Sequence, residues 1–207
     1  MNVYFIRHGE TTMNAARIIQ NADSELSEKG REQAEFLAKR VAQLPIELIV
    51  SSPMKRAKQT SEVINEHIQK EVIYSDLLRE WSEPEAVIGK HRDDPEMQKV
   101  WELRKANQMD PNWRHSTEES LSDLQKRAQE LIDFLSNRSE QNILCVSHSG
   151  FLKLIILTMA LGEKLTPELW FSLYDFLRIK NTGITLCERD KEGNWRLHTW
   201  NDHAHLG

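Results

Sequence analysis

Arginine and histidine stand side by side at positions 7 and 8, in Phe5-Ile6-Arg7-His8-Gly9-Glu10-Thr11. A guanidinium is a planar fork of N–H donors that fits the oxygens of a phosphoryl group. A neutral imidazole is a good nucleophile near pH 7. The same two residue types recur far along the chain, as Arg56 in Ser51-Ser52-Pro53-Met54-Lys55-Arg56 and His148 in Val146-Ser147-His148-Ser149-Gly150. Gathered in one place, two guanidiniums and two imidazoles form a strong anion site, each charge-assisted hydrogen bond contributing on the order of 1.5–3 kcal/mol. Asn14 would add a neutral donor. In this reading His8 attacks phosphorus, and Gly9 lets the backbone bend and leaves one side of the imidazole open. A protonated His148 would stabilise charge building on the equatorial oxygens. The departing alkoxide needs a proton, for which Glu80, in Leu78-Arg79-Glu80-Trp81, is the best acid. Glu10 is a weaker candidate, expected to pair with an arginine instead. A module that only bound a phosphorylated ligand would use the same cations but would need neither His8 nor Glu80.

The elements that must position these residues alternate along the chain. Val3–Ile6, Ile46–Ser51, Val72–Tyr74 and Ile143–Ser147 read as strands. Helices are predicted over 28–44 (N-cap Ser27, stop at Pro45), from Pro53, over a stripe of Leu121, Leu124, Ala128, Leu131 and Leu135, and over 151–161. Ser116 with Glu119 suggests a capping box for the third of these. Ile184–Glu188 and Arg196–Trp200 read as a closing hairpin. The pattern predicts an α/β fold, a three-layer sandwich with a mostly parallel central sheet flanked by helices. Ligands of such sheets bind beyond the carboxyl ends of the strands. Arg7-His8, Ser51-Ser52 with Arg56, and Ser147-His148 all fall there if their strands are neighbours.

Residues 82–114, with Pro84, Gly89, Pro95, Pro111, Trp101 and Trp113, have a different texture. They read as a small helical and loop insertion over the site, within one domain spanning 1–207. Lys90, His91 and Arg92 are its candidates for contact with a second anionic group. The tail carrying His203 and His205 reads as a frayed terminus.

The totals narrow the partners. The chain has 207 residues, a net charge of −5 and no block of Lys or Arg, which argues against nucleic-acid and membrane binding. Cys145 and Cys187 lie in apolar runs without zinc or redox spacing and are expected to be buried, reduced thiols. The N-terminal apolar run is too short for a signal peptide, and the most apolar helix is too short to span a bilayer, so a cytoplasmic setting is expected. No cluster of acids accompanies the motifs, so neither metal nor cofactor is expected. The oligomeric state is not fixed by the sequence, with a dimer left open.

With these residues in view, the chain resembles the histidine phosphatase superfamily, in its phosphoglycerate-mutase-like branch. Arg7-His8-Gly9-Glu10-Thr11 with Asn14 matches the family's N-terminal motif, and Val146-Ser147-His148-Ser149-Gly150 its second histidine motif. Leu26-Ser27-Glu28-Lys29-Gly30, the segment from Ser51 to Thr60, Leu78-Arg79-Glu80, Glu119-Ser120 with Arg127, and Asn181-Thr182-Gly183 follow in order. The resemblance implies that His8 is phosphorylated and that Arg7, Arg56 and His148, with Asn14, hold the phosphoryl group. It implies that Glu80 gives a proton and then activates water, without a metal. It also brings Gln20 and Asn21 to the substrate pocket. Ile18, Asn21 and Met13 depart from residues common in the family, in the part that shapes that pocket. The mutases' characteristic insert is not seen in 82–114, which favours a phosphatase acting on phosphorylated small molecules over a mutase.

Overall fold

The computed structural model describes residues 1–207, and its first strand, β1 (Asn2–Arg7), shows why the N-terminal apolar run is unbroken. Val3 and Phe5 pack on one side of the sheet, Tyr4 and Ile6 on the other. A strand covered on both faces cannot alternate apolar with polar. The chain then runs through a one-turn helix α1 (Thr12–Ala15), α2 (Glu28–Val41), β2 (Leu48–Ser51), α3 (Lys55–Ile68) and β3 (Glu71–Tyr74). Next come α4 (Pro95–Ala106), α5 (Leu121–Ser136), β4 (Asn142–Ser147), α6 (Ser149–Leu161) and α7 (Pro167–Tyr174). β5 (Ile184–Arg189) and β6 (Trp195–Asp202) close the order.

The sheet order is β3-β2-β4-β1-β5-β6. β3, β2, β4 and β1 are mutually parallel, β5 runs antiparallel to β1, and β6 runs antiparallel to β5. α2 and α3 cover one face, over Leu37, Val41, Ala57 and Ile64. α5 and α6 cover the other, over Leu124, Leu131, Phe151 and Ile155. This is the expected three-layer sandwich. β4 lies between β1 and β2, in a register that pairs Arg7 with Ser147 and Ser51 with Val146. The carboxyl ends of three parallel strands therefore lie side by side. Cys145 and Cys187 are buried free thiols. No helix is long and apolar enough to cross a membrane.

Several local expectations are corrected. α2 stops at Val41, short of Pro45, as Gln43 and Leu44 bond back three residues to Arg40 and Val41 and tighten the exit. The capping box of α5 is Ser120 with Asp123, not Ser116 with Glu119. The carboxylate of Glu118 instead collects the backbone N–H groups of His115 and Ser116 and the Ser116 hydroxyl, closing a separate turn. Gly9 is needed for close approach rather than for bending. A Cβ there would come 2.5 Å from the carbonyl oxygen of Gly30, in the first turn of α2. The tail is not frayed. β6 extends to Asp202, which forms an ion pair with Arg40 of α2, while Lys180 Nζ donates to His203 Nε2 (2.7 Å). His205 Nε2 meets Thr182 Oγ1 at 3.1 Å.

The 82–114 insertion holds a small core of its own. Val87, Met97 and Val100 pack with Ile19, and Trp101 leans on them. Backbone bonds tie it to the loop after α1: Ile19 N to Lys90 O, Gly89 N to Ile19 O and Arg92 N to Arg17 O, each 2.9 Å.

Candidate active site

His8 is the first residue past β1 and is 2% exposed. Its backbone N–H continues the ladder to Ser147 O (3.0 Å), and its carbonyl accepts from Asn181 Nδ2 (2.8 Å). The side chain Nδ1 lies 2.7 Å from Gly9 O. A carbonyl only accepts, so Nδ1 carries the proton and Nε2 keeps its lone pair. That lone pair faces Arg56 Nε at 3.2 Å.

Arg56 sits in the first turn of α3, itself 2% exposed. Its Nε is shared with His148 Nδ1, also at 3.2 Å, and its Nη1 donates to Asn21 O (2.8 Å). His148 therefore accepts at Nδ1 and donates from Nε2 to Ser52 Oγ (2.8 Å). The two imidazole centroids are 5.1 Å apart. One turn along α3, Thr60 accepts from Gly9 N (3.1 Å) and donates to Arg56 O (2.7 Å), tying the loop after His8 to the arginine's helix.

Burial, then the charges of Arg56 and Arg7, push the His8 imidazole well below its ordinary range. Burial, Arg56 and His8 do the same to His148. Burial lowers Arg56 to about 10 against the opposing charge of Glu80, and lowers Arg7 as well. Both imidazoles are thus neutral in this arrangement, and an Arg56 N–H occupies Nδ1 of His148, the nitrogen that would take a proton. Arg7 Nη1 donates to Ile179 O (2.7 Å), and its buried Nε has no hydrogen-bond partner in the protein. Buried donors are almost always satisfied, so this one is available to a substrate oxygen.

Glu80 follows the turn after β3 and caps α6. Its Oε1 accepts from Phe151 N (2.8 Å) and Trp81 N (3.1 Å), its Oε2 from Gly150 N (3.1 Å). The N–H groups at the start of α6, which could have faced the anion, are spent on this carboxylate. Oε2 has a single donor and so keeps a lone pair free for a further partner. A Cβ on Gly150 would lie 2.8 Å from Oε1, so glycine there leaves room for the carboxylate. Glu10 pairs with Lys29 (3.1 Å) and Ser27 rather than with an arginine, because its loop crosses the N-terminus of α2.

The remaining predicted residues are less uniform. Asn14, on α1, has a buried Oδ1 without a partner. Gln20 is committed through Oε1 to the Thr11 hydroxyl (2.8 Å). Asn21 supports Arg56 through its backbone carbonyl, while its Oδ1 accepts from Ser24 (2.9 Å). Within the insertion Lys90 is paired with Glu96, and His91 lies 3.5 Å from Asp93. Arg92 is exposed and has no carboxylate at ion-pair distance. Its charge is close enough to depress both Arg7 and the Tyr174 hydroxyl, the latter held at about 12 chiefly by burial. Ser52 and Thr60 were not singled out as site residues. For Thr60 the signal was its spacing of one helical turn from Arg56.

Residues 3–203 match the family model described as histidine phosphatase superfamily (branch 1). A probable phosphoglycerate mutase GpmB of Erwinia tasmaniensis is 31% identical over 213 residues, covering 100% of this chain and 95% of that protein. Phosphoserine phosphatase of Entamoeba histolytica, crystallised as a variant with phosphoserine, superposes with a TM-score of 0.81 at 28% identity, over 99% of this chain and 98% of that one. The same enzyme with 3-phosphoglyceric acid gives 0.77, with the same identity and coverage.

Proposed function

This chain belongs to branch 1 of the histidine phosphatase superfamily and hydrolyses phosphomonoesters, and from that premise we propose that His8 is its nucleophile, Glu80 its proton donor, and Arg7, Arg56, His148 and Asn14 its phosphoryl cradle. One observation carries the reading. The His8 Nδ1–H is fixed on Gly9 O, which aims an unprotonated Nε2 at the place where Arg56 would hold phosphorus.

In the first half-reaction the Nε2 lone pair forms the N–P bond. The ester P–O bond breaks with its electron pair going to the leaving oxygen, which takes the proton of Glu80. Arg56 Nε moves from the His8 lone pair onto a phosphoryl oxygen, and Arg7 Nε takes another. The two negative charges of the phosphoryl group offset the field of the arginines, so His148, once freed of Arg56, can take a proton from solvent at Nδ1 and become a donor, giving it back when phosphate leaves. In the second half-reaction Glu80 takes a proton from water, the water oxygen attacks phosphorus, and the N–P bond breaks to return neutral His8.

The substrate class proposed is a small phosphomonoester that carries a second anionic group such as a carboxylate. Its support is Arg92, the one cation of the Lys90-His91-Arg92 run without a carboxylate partner, and the compounds found with the Entamoeba enzyme. The decisive experiment follows phosphate release from a panel of phosphorylated metabolites in the presence of a chelator. His8→Ala runs in parallel, with acid quenching to trap phosphohistidine. The expected result is release from a few carboxylated esters, an acid-labile phosphoenzyme in the wild type, and neither in the variant. Interconversion of phosphoglycerates without release would replace hydrolysis by mutase transfer. Turnover by the variant would exclude His8.

A further inference from the structure

A carboxyl that must deliver a proton to a departing oxygen has to be held within a few tenths of an ångström, and Glu80 sits on an irregular segment, not on a helix or strand. The backbone that leads into it is gripped by one side chain. Arg127, on α5, donates from Nη1 to Arg79 O (2.8 Å), the carbonyl of the peptide that leads into Glu80, and to Leu77 O (3.3 Å). Its Nε and Nη2 form a two-point pair with Glu119, at 2.7 and 2.8 Å. The Glu119 carbonyl in turn accepts from Trp81 Nε1 (2.9 Å), the residue following Glu80. The guanidinium carbon lies 4.1 Å from the ring centroid of Phe151, whose N–H donates to the Glu80 carboxylate. One planar group thus meets the peptide before Glu80, the indole after it through Glu119, and the ring whose amide holds its carboxylate.

We infer that Arg127 is the positioning residue for the proton donor, acting with Glu119 as a clamp on the 77–81 segment; the inference rests on the reading of Glu80 as that donor. Arg127 is 13% exposed and Glu119 30%, and a part-exposed ion pair contributes little to stability. The clamp's effect belongs to the transfer itself: the proton moves from Glu80 to the leaving oxygen as that oxygen takes up the electron pair of the breaking P–O bond. An alkoxide needs that proton. A nitrophenolate is stable enough to leave without it. Loss of the clamp should therefore separate substrates by leaving group, which a general loosening of the fold would not do.

The test measures kcat and KM for wild type, Glu80→Gln, Arg127→Met, Arg127→Lys and Glu119→Gln on an alkyl phosphate such as phosphoserine and on p-nitrophenyl phosphate. Arg127→Met should lower kcat/KM, which reports the phosphorylation half-reaction alone, by ~10–100-fold on the alkyl ester, since a misplacement of about 1 Å costs up to ~100-fold. It should change kcat/KM for p-nitrophenyl phosphate by less than ~3-fold, while the water-attack step common to both substrates slows equally. Arg127→Lys, which keeps one donor for the carbonyls, should recover part of the loss, and Glu119→Gln should show the same split more weakly. The aryl substrate reports folding in the same preparation, and the Lys and Gln variants serve if the Met variant does not fold. Equal losses on both substrates in every clamp variant, while Glu80→Gln shows the split, would overturn the proposal for Arg127 alone. Absence of a split in Glu80→Gln itself would overturn the role of Glu80, and the clamp's role with it.

Discussion

The phosphoryl cradle and the 82–114 insertion are built by opposite rules. In the cradle, His8, Arg56 and His148 are at most 2% exposed, and each is tied to backbone or side chains from another element of the main layers. The insertion gathers a core of only three buried residues of its own, Val87, Met97 and Val100, packed on Ile19, and pairs some of its charges internally, Lys90 with Glu96 and Arg104 with Glu83. It is bonded to the loop after α1, not to the sheet. The difference teaches where change is tolerated. Residues of the insertion's core can be replaced with little disturbance of His8, Arg56 and His148, because that core packs apart from the two clusters that cover the sheet.

The strongest way to break this comparison is to find that the cradle contributes stability as the insertion's apolar core does. Arg56→Met should lower kcat/KM by ~10²–10³-fold, the usual cost of removing one donor to developing charge. Its melting temperature should nevertheless not fall, because Arg56 is a buried cation beside Arg7, with a pKa lowered to about 10 mainly by burial. A calorimetric scan beside the kinetics checks both, and a clear drop in melting temperature would make the cradle a stabilising element.

Acid offers a second test. His8 and His148 are held well below 6.5 in the fold, first by burial and then by Arg56, whereas in the unfolded chain they titrate near 6.5. Below about pH 6.5 the unfolded state binds protons that the folded state refuses, so stability falls as pH falls and is independent of these groups above that range. The slope is up to about 1.4 kcal/mol per pH unit for each imidazole. Denaturant titrations at pH 7.5, 6.5 and 5.5 measure it. His205, lowered to about 4 by burial and then Arg40, adds to the same slope, and His205→Gln removes its share. A flat profile in that variant would contradict the buried neutral pair.

The smallest effect sharpens the comparison from the other side. Arg92→Ala should raise KM for a carboxylated ester about 10-fold, roughly 1.4 kcal/mol, with kcat and the KM for a monoanionic-tail-free ester unchanged. Equal changes on both esters would place Arg92 outside substrate selection.

The layered fold and the gathering of His8, Arg56 and His148 at one sheet edge were legible because they depend on local signals. Continuous apolar runs mark strands covered on both faces, and the polar residues that end β1, β2 and β4 mark one sheet edge. The insertion's helix was not placed, since Met97, Val100 and Trp101 make too short a stripe on α4 to outweigh its charges. α7 was missed although Thr166 as N-cap, Pro167 and Glu168 spell a helix start. The pairing of Glu10 with Lys29, the neutral state of His148 and the docked tail were illegible for a different reason. Each is decided by a neighbour distant in sequence, Lys29, Arg56 and Arg40 respectively, which becomes a neighbour only once the sheet has formed.

The sheet order also sets a timetable for synthesis. β4 fills the gap between β1 and β2, yet it leaves the ribosome about a hundred residues after β2. Until then the nascent chain holds two apolar strands with no partner between them, and the arginine and histidines of the cradle are not yet neighbours. Long-range pairing of this kind slows folding and leaves strand edges open to association. The antiparallel β5–β6 hairpin, which covers the far side of β1, arrives later still. A chain cut short before residue 142 would therefore be both inactive and prone to aggregate, whatever the integrity of its first motif.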